Sequence, residues 1–234
     1  MKNSLLLALL GLAALTTAAH AQSTQPRPVP TFHAINVGTG IELALTAGPA
    51  QRVEVSAATD AYRDRIETTV KDGVLTLRYR NDDDRTRRND RTNKRLRVAV
   101  TADELTALTA GSGASVHTAG DFDAATFQLD VSSGASVEAD LATTTLTVRQ
   151  SSGSSATLRG RATSLDVQSS SGASLDAPKL QADHARAEAS SGSSIVVAVK
   201  DDLVAQASSG GSISYKGSPQ LTKRTSSGGS VSGH

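Results

Sequence analysis

This 234-residue chain has no cysteine, so thiol chemistry is excluded. The side chains that could act as catalysts or ligands are its carboxylates, a few histidines and many serines. Two acidic pairs stand out, Asp121 with Asp123 and Asp201 with Asp202. Clustered carboxylates bind Ca²⁺, and a basic residue beside them can abstract a proton, which is how some enzymes cleave acidic polysaccharides. The two pairs fall at different offsets within the sequence repeat described below, so they need not share a face.

The histidines and serines give no stronger signal. After residue 21 the histidines are His33, His117, His184 and His234, and no two of them have the spacing of a zinc site. His117, Asp121 and one of the many serines could form a Ser-His-Asp arrangement, but such a combination is nearly unavoidable in a serine-rich chain. We therefore predict no catalytic residue, no metal site and no cofactor, and a protein that is not an enzyme.

The first 21 residues predict a signal peptide. Lys2 gives a positive start, residues 5–15 are apolar, and Ala19-His20-Ala21 has the small-x-small form that signal peptidase cleaves. The apolar run is shorter than the about 20 residues that a membrane-spanning helix needs, so we expect no transmembrane segment. The mature chain would start at Gln22 and be exported through the inner membrane, to remain periplasmic, associate with the outer surface or be secreted.

Charge and composition narrow the class of protein further. The chain has 24 basic and 23 acidic residues, and removing Lys2 with the signal peptide makes the two counts equal. A neutral chain is not expected to bind nucleic acid. Three Phe, three Tyr and no Trp leave aliphatic residues to fill the interior.

The region before the repeats predicts short strands. Residues 22–31 contain three prolines and form an extended leader. Residues 32–110 form an N-terminal β region with apolar residues at every second position, and Asp72-Gly73 predicts a hairpin turn. Within this region, residues 81–95 have no apolar side chain and predict a mobile charged loop. Its acidic residues 82–84 could meet a cation and its arginines an anionic surface, although we favour a solvated hairpin tip.

Residues 111–234 repeat a short Ser-Gly block seven times, with successive glycines 21, 19, 19, 20, 18 and 18 residues apart. Periods near 20 residues indicate a solenoid. Apolar residues alternate on both sides of each block, which predicts two short strands in every copy and one turn, or rung, of a parallel β-helix. Val148 and Leu165 are among the predicted inward residues, and Lys223 interrupts the pattern near the end.

The blocks themselves predict corners between strands. Glycine permits positive φ and lets one coil approach the next, while serine can hydrogen-bond to local backbone. The serines could instead be nucleophiles or glycan acceptors, but a group repeated seven times fits a structural role better. The predicted corner glycines are Gly113, Gly134, Gly153, Gly172, Gly192, Gly210 and Gly228.

The order of these features resembles a known bacterial family. The segments "FHAINVGTGIELALTAGP", "VEVSA", "DGVLTLRY" and "RLRVAVT", followed by "LTALTAGSGASV" and the repeated "SSGASV" and "SSGGSI", resemble the family of unknown function called "putative auto-transporter adhesin, head GIN domain" over residues 32–231. The resemblance implies one continuous all-β unit, a right-handed parallel β-helix with pectin-lyase-like shape, and adhesion at the cell surface. The family has no known catalytic residue that could be assigned to this chain. The loop over residues 81–95 differs from the family pattern in its length and charge.

Three functions remain open at this point. We favour an exported, non-catalytic module that binds a glycan or a surface protein along its regular outer faces. The alternatives are a carbohydrate-active enzyme, similar to a polysaccharide lyase or hydrolase and using carboxylates such as Asp121 and Asp123, and a periplasmic structural protein without a specific ligand. The final block is followed only by residues 230–234, so we also expect an open C-terminal edge through which the protein could self-associate.

Overall fold

A computed structural model of the protein describes residues 24–81, 93–120 and 122–234. The signal peptide predicted over residues 1–21 lies outside these ranges, as do most of the charged loop predicted over residues 81–95 and the candidate carboxylate Asp121.

The chain folds into strands wherever apolar and polar residues alternate, because alternate side chains of a strand then face the interior and the solvent. The elements before the repeats are β1 (Gln25–Pro26), β2 (Ala34–Val37), β3 (Glu42–Ala47), β4 (Arg52–Ser56), α1 (Asp60–Arg63), β5 (Ile66–Lys71), β6 (Val74–Tyr79) and β7 (Arg97–Ala102). The strands at and within the repeats are β8 (Ala107–Ala110), β9 (Ser115–Ala119), β10 (Phe122–Val131), β11 (Ser136–Gln150), β12 (Ser155–Ser169), β13 (Ser174–Ala189), β14 (Ser194–Ala207), β15 (Ser212–Lys216), β16 (Gln220–Thr225) and β17 (Ser230–Gly233).

Each repeat strand pairs in parallel with the strand one repeat later. β11 and β12 run in register from the pair Ser136–Ser155 to the pair Gln150–Ser169, with a gap at Thr144. On either side of this gap the buried positions of β11 change from odd-numbered to even-numbered residues, so the strand bends there to keep its apolar side chains inside. The two short strands predicted in each copy are therefore joined into one long strand in β11 to β14. This parallel pairing confirms the predicted β-helix preceded by shorter strands.

Local irregularities absorb the unequal length of the repeats. Where the glycine spacing rises to 20 residues, the register of β12 against β13 shifts between Thr157 and Arg159. Pro178, which has no N–H to donate, lies beside this shift. Pairing is regular again at the next corner, where Ser174 lies opposite Ser194. Variable repeat lengths therefore leave the corners aligned.

The first rungs stack in an order different from their order in the chain. β2 and β3 lie between the rung of β6 and β7 on one side and the rung of β8 and β9 on the other, with every pairing parallel. Strands β5 and β4 then pair antiparallel with β6 and β7, and β1 pairs antiparallel with β4. The predicted hairpin is confirmed, since Asp72 (φ 52°) and Gly73 (φ 73°) join β5 and β6.

The core is a column of aliphatic side chains inside the rungs. Val148 and Leu165 are fully buried, as predicted. The alternation also predicts inward positions for Thr118, Tyr215 and Leu221, but the first two are only partly buried and Leu221 is 37% exposed. The Thr118 hydroxyl instead accepts a hydrogen bond from the Asp140 N–H at 2.9 Å, beyond the point where β9 and β11 pair. One column of stacked core residues consists of Leu43, Val116, Val137, Ala156, Leu175, Ile195 and Ile213.

Candidate functional site

The Ser-Gly blocks form one line of corners along the stack. In each block the serine and the glycine both have left-handed φ angles, for example 55° at Ser152 and 66° at Gly153. The glycine N–H donates to the serine carbonyl of the following corner, as Gly153 does to Ser171 at 3.0 Å. The serine side chains on this line are exposed. The corners therefore make a straight, solvent-facing row of hydroxyl groups.

An eighth corner continues this line toward the N-terminus. Thr39 (φ 54°) and Gly40 (φ 69°) have the same geometry, and the Gly40 N–H donates to the Ser112 carbonyl at 3.0 Å. The search for Ser-Gly pairs missed it because threonine replaces serine. A search for any hydroxyl residue before glycine, followed by alternating apolar residues, would have found it.

The seven predicted corner glycines have positive φ but face open space. A Cβ added to six of them would meet nothing within 4 Å, and one added to Gly228 would lie 4.0 Å from the Gly210 nitrogen. Close approach between coils, the second reason offered for these glycines, therefore does not apply to them. Added Cβ atoms would instead collide with backbone carbonyls of neighbouring rungs at Gly160, Gly211, Gly217 and Gly229.

The described members of the candidate acidic pairs, Asp123, Asp201 and Asp202, each lie beside a basic side chain or a histidine. Asp123 is exposed, and its carboxylate lies 3.9 Å from the Arg161 guanidinium. Asp202 instead pairs with His184, at 2.8 Å. Asp201 lies 3.7 Å from Lys200. Within residues 24–81, 93–120 and 122–234, no three side chains of His, Asp or Glu are arranged to hold a metal ion.

A serine, a histidine and a glutamate do line up on one outer face. The Ser115 Oγ lies 3.3 Å from His117 Nε2, and His117 Nδ1 lies 3.4 Å from Glu138 Oε2. Sequence analysis considered His117 with aspartate and missed Glu138, which the 21-residue repeat places directly opposite His117. This order of groups matches that of a serine hydrolase.

The surroundings of this triad differ from those of an active site. Arg159 donates to Glu138 at 2.5 Å, and this hydrogen bond and the guanidinium charge lower the pKa of Glu138. The Ser115 N–H donates a hydrogen bond to the Ile41 carbonyl at 2.9 Å, so it is not free to stabilise an oxyanion. The side chains of His117 and Glu138 are 56% and 43% exposed, so water competes for every contact. The arrangement is better described as a ladder of surface charges.

An open groove of about 650 Å³ crosses four rungs where the strands bend, and we call it the bend groove. Its floor consists of small side chains in register, Ala124, Thr143 and Ala162. One rim carries the long polar side chains Asp123, Arg161 and Gln181, and the other carries Ala125, Thr144, Thr163 and Asp183. Because the strands lie about 4.8 Å apart, the four rungs span about 14 Å.

The charged groups that line the bend groove are two carboxylates and one guanidinium. Arg161 lies 3.9 Å from Asp123. Asp183, at the far end, lies 3.8 Å from Lys200, which is outside the lining and lies 3.7 Å from Asp201 as well. The floor residue Thr143 is only 7% exposed, and its hydroxyl has no hydrogen-bond partner among the described residues. The groove therefore offers no net positive charge, small apolar groups and one buried unpaired hydroxyl.

A second polar groove runs beside the line of corners. It holds a row of serines that includes Ser132, Ser151 and Ser170, and a parallel row in which Asp130 and Arg149 lie 3.9 Å apart. Rows of this kind continue toward the C-terminus through further serines and polar residues. In the described residues, the one helix has four residues, and none is long or apolar enough to cross a membrane.

Solved structures with the same fold are known from several bacteria. A putative adhesin from Bacteroides fragilis is 19% identical, with a TM-score of 0.80 over 92% of this chain and 98% of that one. A putative adhesin from Parabacteroides merdae is 16% identical, with a TM-score of 0.70 over 92% and 97%. A putative lipid binding protein from Parabacteroides distasonis is also 16% identical, with a TM-score of 0.67 over 92% and 98%. These similarities establish the shared fold.

Sequence comparison identifies the family. No curated protein matches the chain. Residues 31–219 match the sequence model of a single family, slightly shorter at the C-terminal end than the 32–231 expected from the motifs. The match includes the strands from β2 to β15 and the first six Ser-Gly corners. The chain therefore belongs to the family described as "Putative auto-transporter adhesin, head GIN domain".

Proposed function

We propose that this protein is an exported, non-catalytic adhesion module that binds a glycan or a surface protein through its outer faces. The observation that carries the proposal is the register of those faces: side chains such as Asp130 and Arg149 lie opposite each other on successive strands. The family to which the chain belongs supports this role, because its description is that of an adhesin. Export rests on the predicted signal peptide over residues 1–21.

The physical advantage of such a surface is its rigidity. Side chains held on a continuous parallel sheet need little further ordering when a partner binds, so less of the interaction free energy is lost as entropy. A partner with a repeated structure could make the same weak contact on several rungs at once, and linked contacts add through their high effective concentration. Both grooves are open along the stack, which suits a long partner better than a small metabolite.

A binding screen of the mature chain tests this proposal. The chain from Gln22 onward would be applied to arrays of glycans and matrix proteins and to lipid vesicles, with a polysaccharide-lyase assay in Ca²⁺ run in parallel. We expect binding to a glycan or protein without cleavage. Cleavage that is lost in the double variant Asp121→Ala, Asp123→Ala would instead support the enzyme alternative. Binding to nothing on the arrays would support a structural protein.

Hydrolysis is a second candidate, favoured by one observation, the Ser115–His117–Glu138 alignment. Ester substrates added to the same assay address it, because a serine activated by histidine attacks an acyl carbon. The matched variants are Ser115→Ala, which removes the hydroxyl beside His117, and Ser136→Ala, which removes the neighbouring hydroxyl 3.2 Å from Ser115. Activity lost in the first and kept in the second would establish a catalytic serine and would contradict the non-catalytic proposal.

A further inference from the structure

The bend groove has the chemistry of a site for a neutral, linear glycan. We propose that an uncharged oligosaccharide lies along it, across the four rungs from Asp123 to Gln181. This inference rests on the proposed binding function and specifies both the place and the class of partner.

The polar groups of the rims match sugar hydroxyls. A hydroxyl both donates and accepts hydrogen bonds, so it needs partners of both kinds. Asp123 and Asp183 supply acceptors, Arg161 supplies donors, and Gln181 supplies both. Asp123 and Arg161 are 81% and 77% exposed, so a ligand can reach both. Their planar end groups can each contact two neighbouring hydroxyls of one ring.

The charge of the groove argues against an acidic polymer. Asp123 and Asp183 carry negative charge, while Arg161 and Lys200 carry positive charge within 3.9 Å and 3.8 Å of them. Asp201 lies 3.7 Å from the same Lys200, so these groups together carry one more negative than positive charge. The groove therefore provides no net attraction for an anionic chain, and its two carboxylates would lie next to the acid groups of that chain. An uncharged chain meets no such repulsion.

The floor suits the other face of a sugar ring. The small side chains of Ala124, Thr143 and Ala162 form a strip between the polar rims, and the two alanine methyl groups make it partly apolar. Pockets that combine an apolar lining with a few polar groups hold ligands in one orientation. The Thr143 hydroxyl, buried and without a partner, costs free energy as it stands, and a ligand hydroxyl could pair with it after a turn of the side chain.

An extended peptide fits this groove less well. Peptides that bind to sheets do so chiefly by pairing with free backbone groups at an edge. In the floor, Thr143 is paired in parallel with Ala124 on one side and Ala162 on the other, so no edge is open there. A peptide would have to bind by side-chain contacts alone.

Two tryptophan substitutions one residue apart test the site. Thr163 lines the groove and is exposed, whereas Ser164 is exposed on the same strand and does not line it. Thr163→Trp should fill the groove without disturbing the core, and Ser164→Trp is the matched control. Asp123→Ala, which removes polar atoms and leaves the groove open, is an independent second variant.

The measurement is calorimetric titration of the full mature chain with cellohexaose, laminarihexaose and mannohexaose, and with hexagalacturonate and a hexapeptide as comparisons. We expect at least one neutral hexasaccharide to bind, and Thr163→Trp to weaken it about tenfold or more, the loss of about 1.4 kcal/mol. Ser164→Trp should change its affinity less than about twofold, and Asp123→Ala should weaken it several-fold.

Each other outcome overturns a defined part of the account. Equal binding of the neutral sugar by all variants would place the glycan elsewhere and leave the proposed binding function intact. Binding of hexagalacturonate or the hexapeptide in preference to the neutral sugars would refute the ligand class. If the protein binds none of these probes but binds another partner in the array screen, the groove assignment is refuted and the binding function stands. If it binds nothing in either the titration or the screen, the binding function is refuted as well.

Discussion

At the scale of single residues, the corner depends on two consecutive left-handed residues. Sequence reasoning assigned the positive φ to glycine, but the serine before it adopts the same region, where residues other than glycine are uncommon. The sequence therefore predicted only one of the two left-handed residues in each corner. Neither Glu138 beside His117 nor the unpaired Thr143 hydroxyl could be found from local sequence, because both depend on strands about one repeat away.

The need for glycine at the corners is a prediction that two alanine substitutions test. Gly153 has φ 66° with open space around it, so Gly153→Ala should destabilise the fold by roughly 1–2 kcal/mol through backbone strain alone. Gly111 is the matched control, because its φ is not left-handed and an added Cβ would lie 3.6 Å from the Ser132 Oγ. Chemical denaturation measures both, and equal effects on the unfolding free energy would contradict the assigned role.

At the scale of elements, alternation of apolar residues predicted the strands, the hairpin at Asp72-Gly73 and the inward residues of the middle rungs. It could not predict that β2 and β3 stack between β6/β7 and β8/β9, because that order depends on pairing between distant segments. The bends did leave a mark in the sequence, because the inward positions change from odd-numbered, Val137 and Ala139, to even-numbered, Leu146 and Val148, and two strands were predicted in each copy for that reason. Alternation could not predict that the strand continues across the bend, or that four rungs place small residues in register there to form the bend groove.

The inward assignment of the long strands predicts a sharp contrast between neighbouring positions. Val148 in β11 is fully buried between Leu129 and Val167 of adjacent rungs. Val148→Arg would place an unpaired charge in the core, and we expect it to cost about 3 kcal/mol or more and lower Tm by roughly 10 °C.

Thr147→Arg is the control for this change, because Thr147 is the preceding residue and faces outward. Its Tm should stay within about 2 °C of the wild-type value. Circular dichroism during heating measures both variants. A Val148→Arg protein with the same Tm as the wild type would show that residue 148 does not face a dry core.

At the scale of the whole molecule, the two ends of the stack differ. Antiparallel strands β4 and β5 cover the first rung, whereas β16 in the last rung is exposed along its length. Lys223 lies in register with the buried Ala205 but is itself exposed. A lysine on an edge strand discourages pairing with another chain. Self-association through this edge, expected from the sequence, stays a prediction.

The central claim is that the Ser-Gly corners stack in a straight line, one strand spacing apart, and distances between spin labels test it most directly. The chain has no cysteine, so cysteine pairs can be introduced at the exposed corner serines and labelled without competing sites. For the pairs Ser133/Ser209, Ser133/Ser227 and Ser112/Ser227, which are four, five and six corners apart, pulsed electron paramagnetic resonance should give about 19, 24 and 29 Å. Distances that do not rise by one strand spacing per corner would contradict the stacked solenoid and the groove that depends on it.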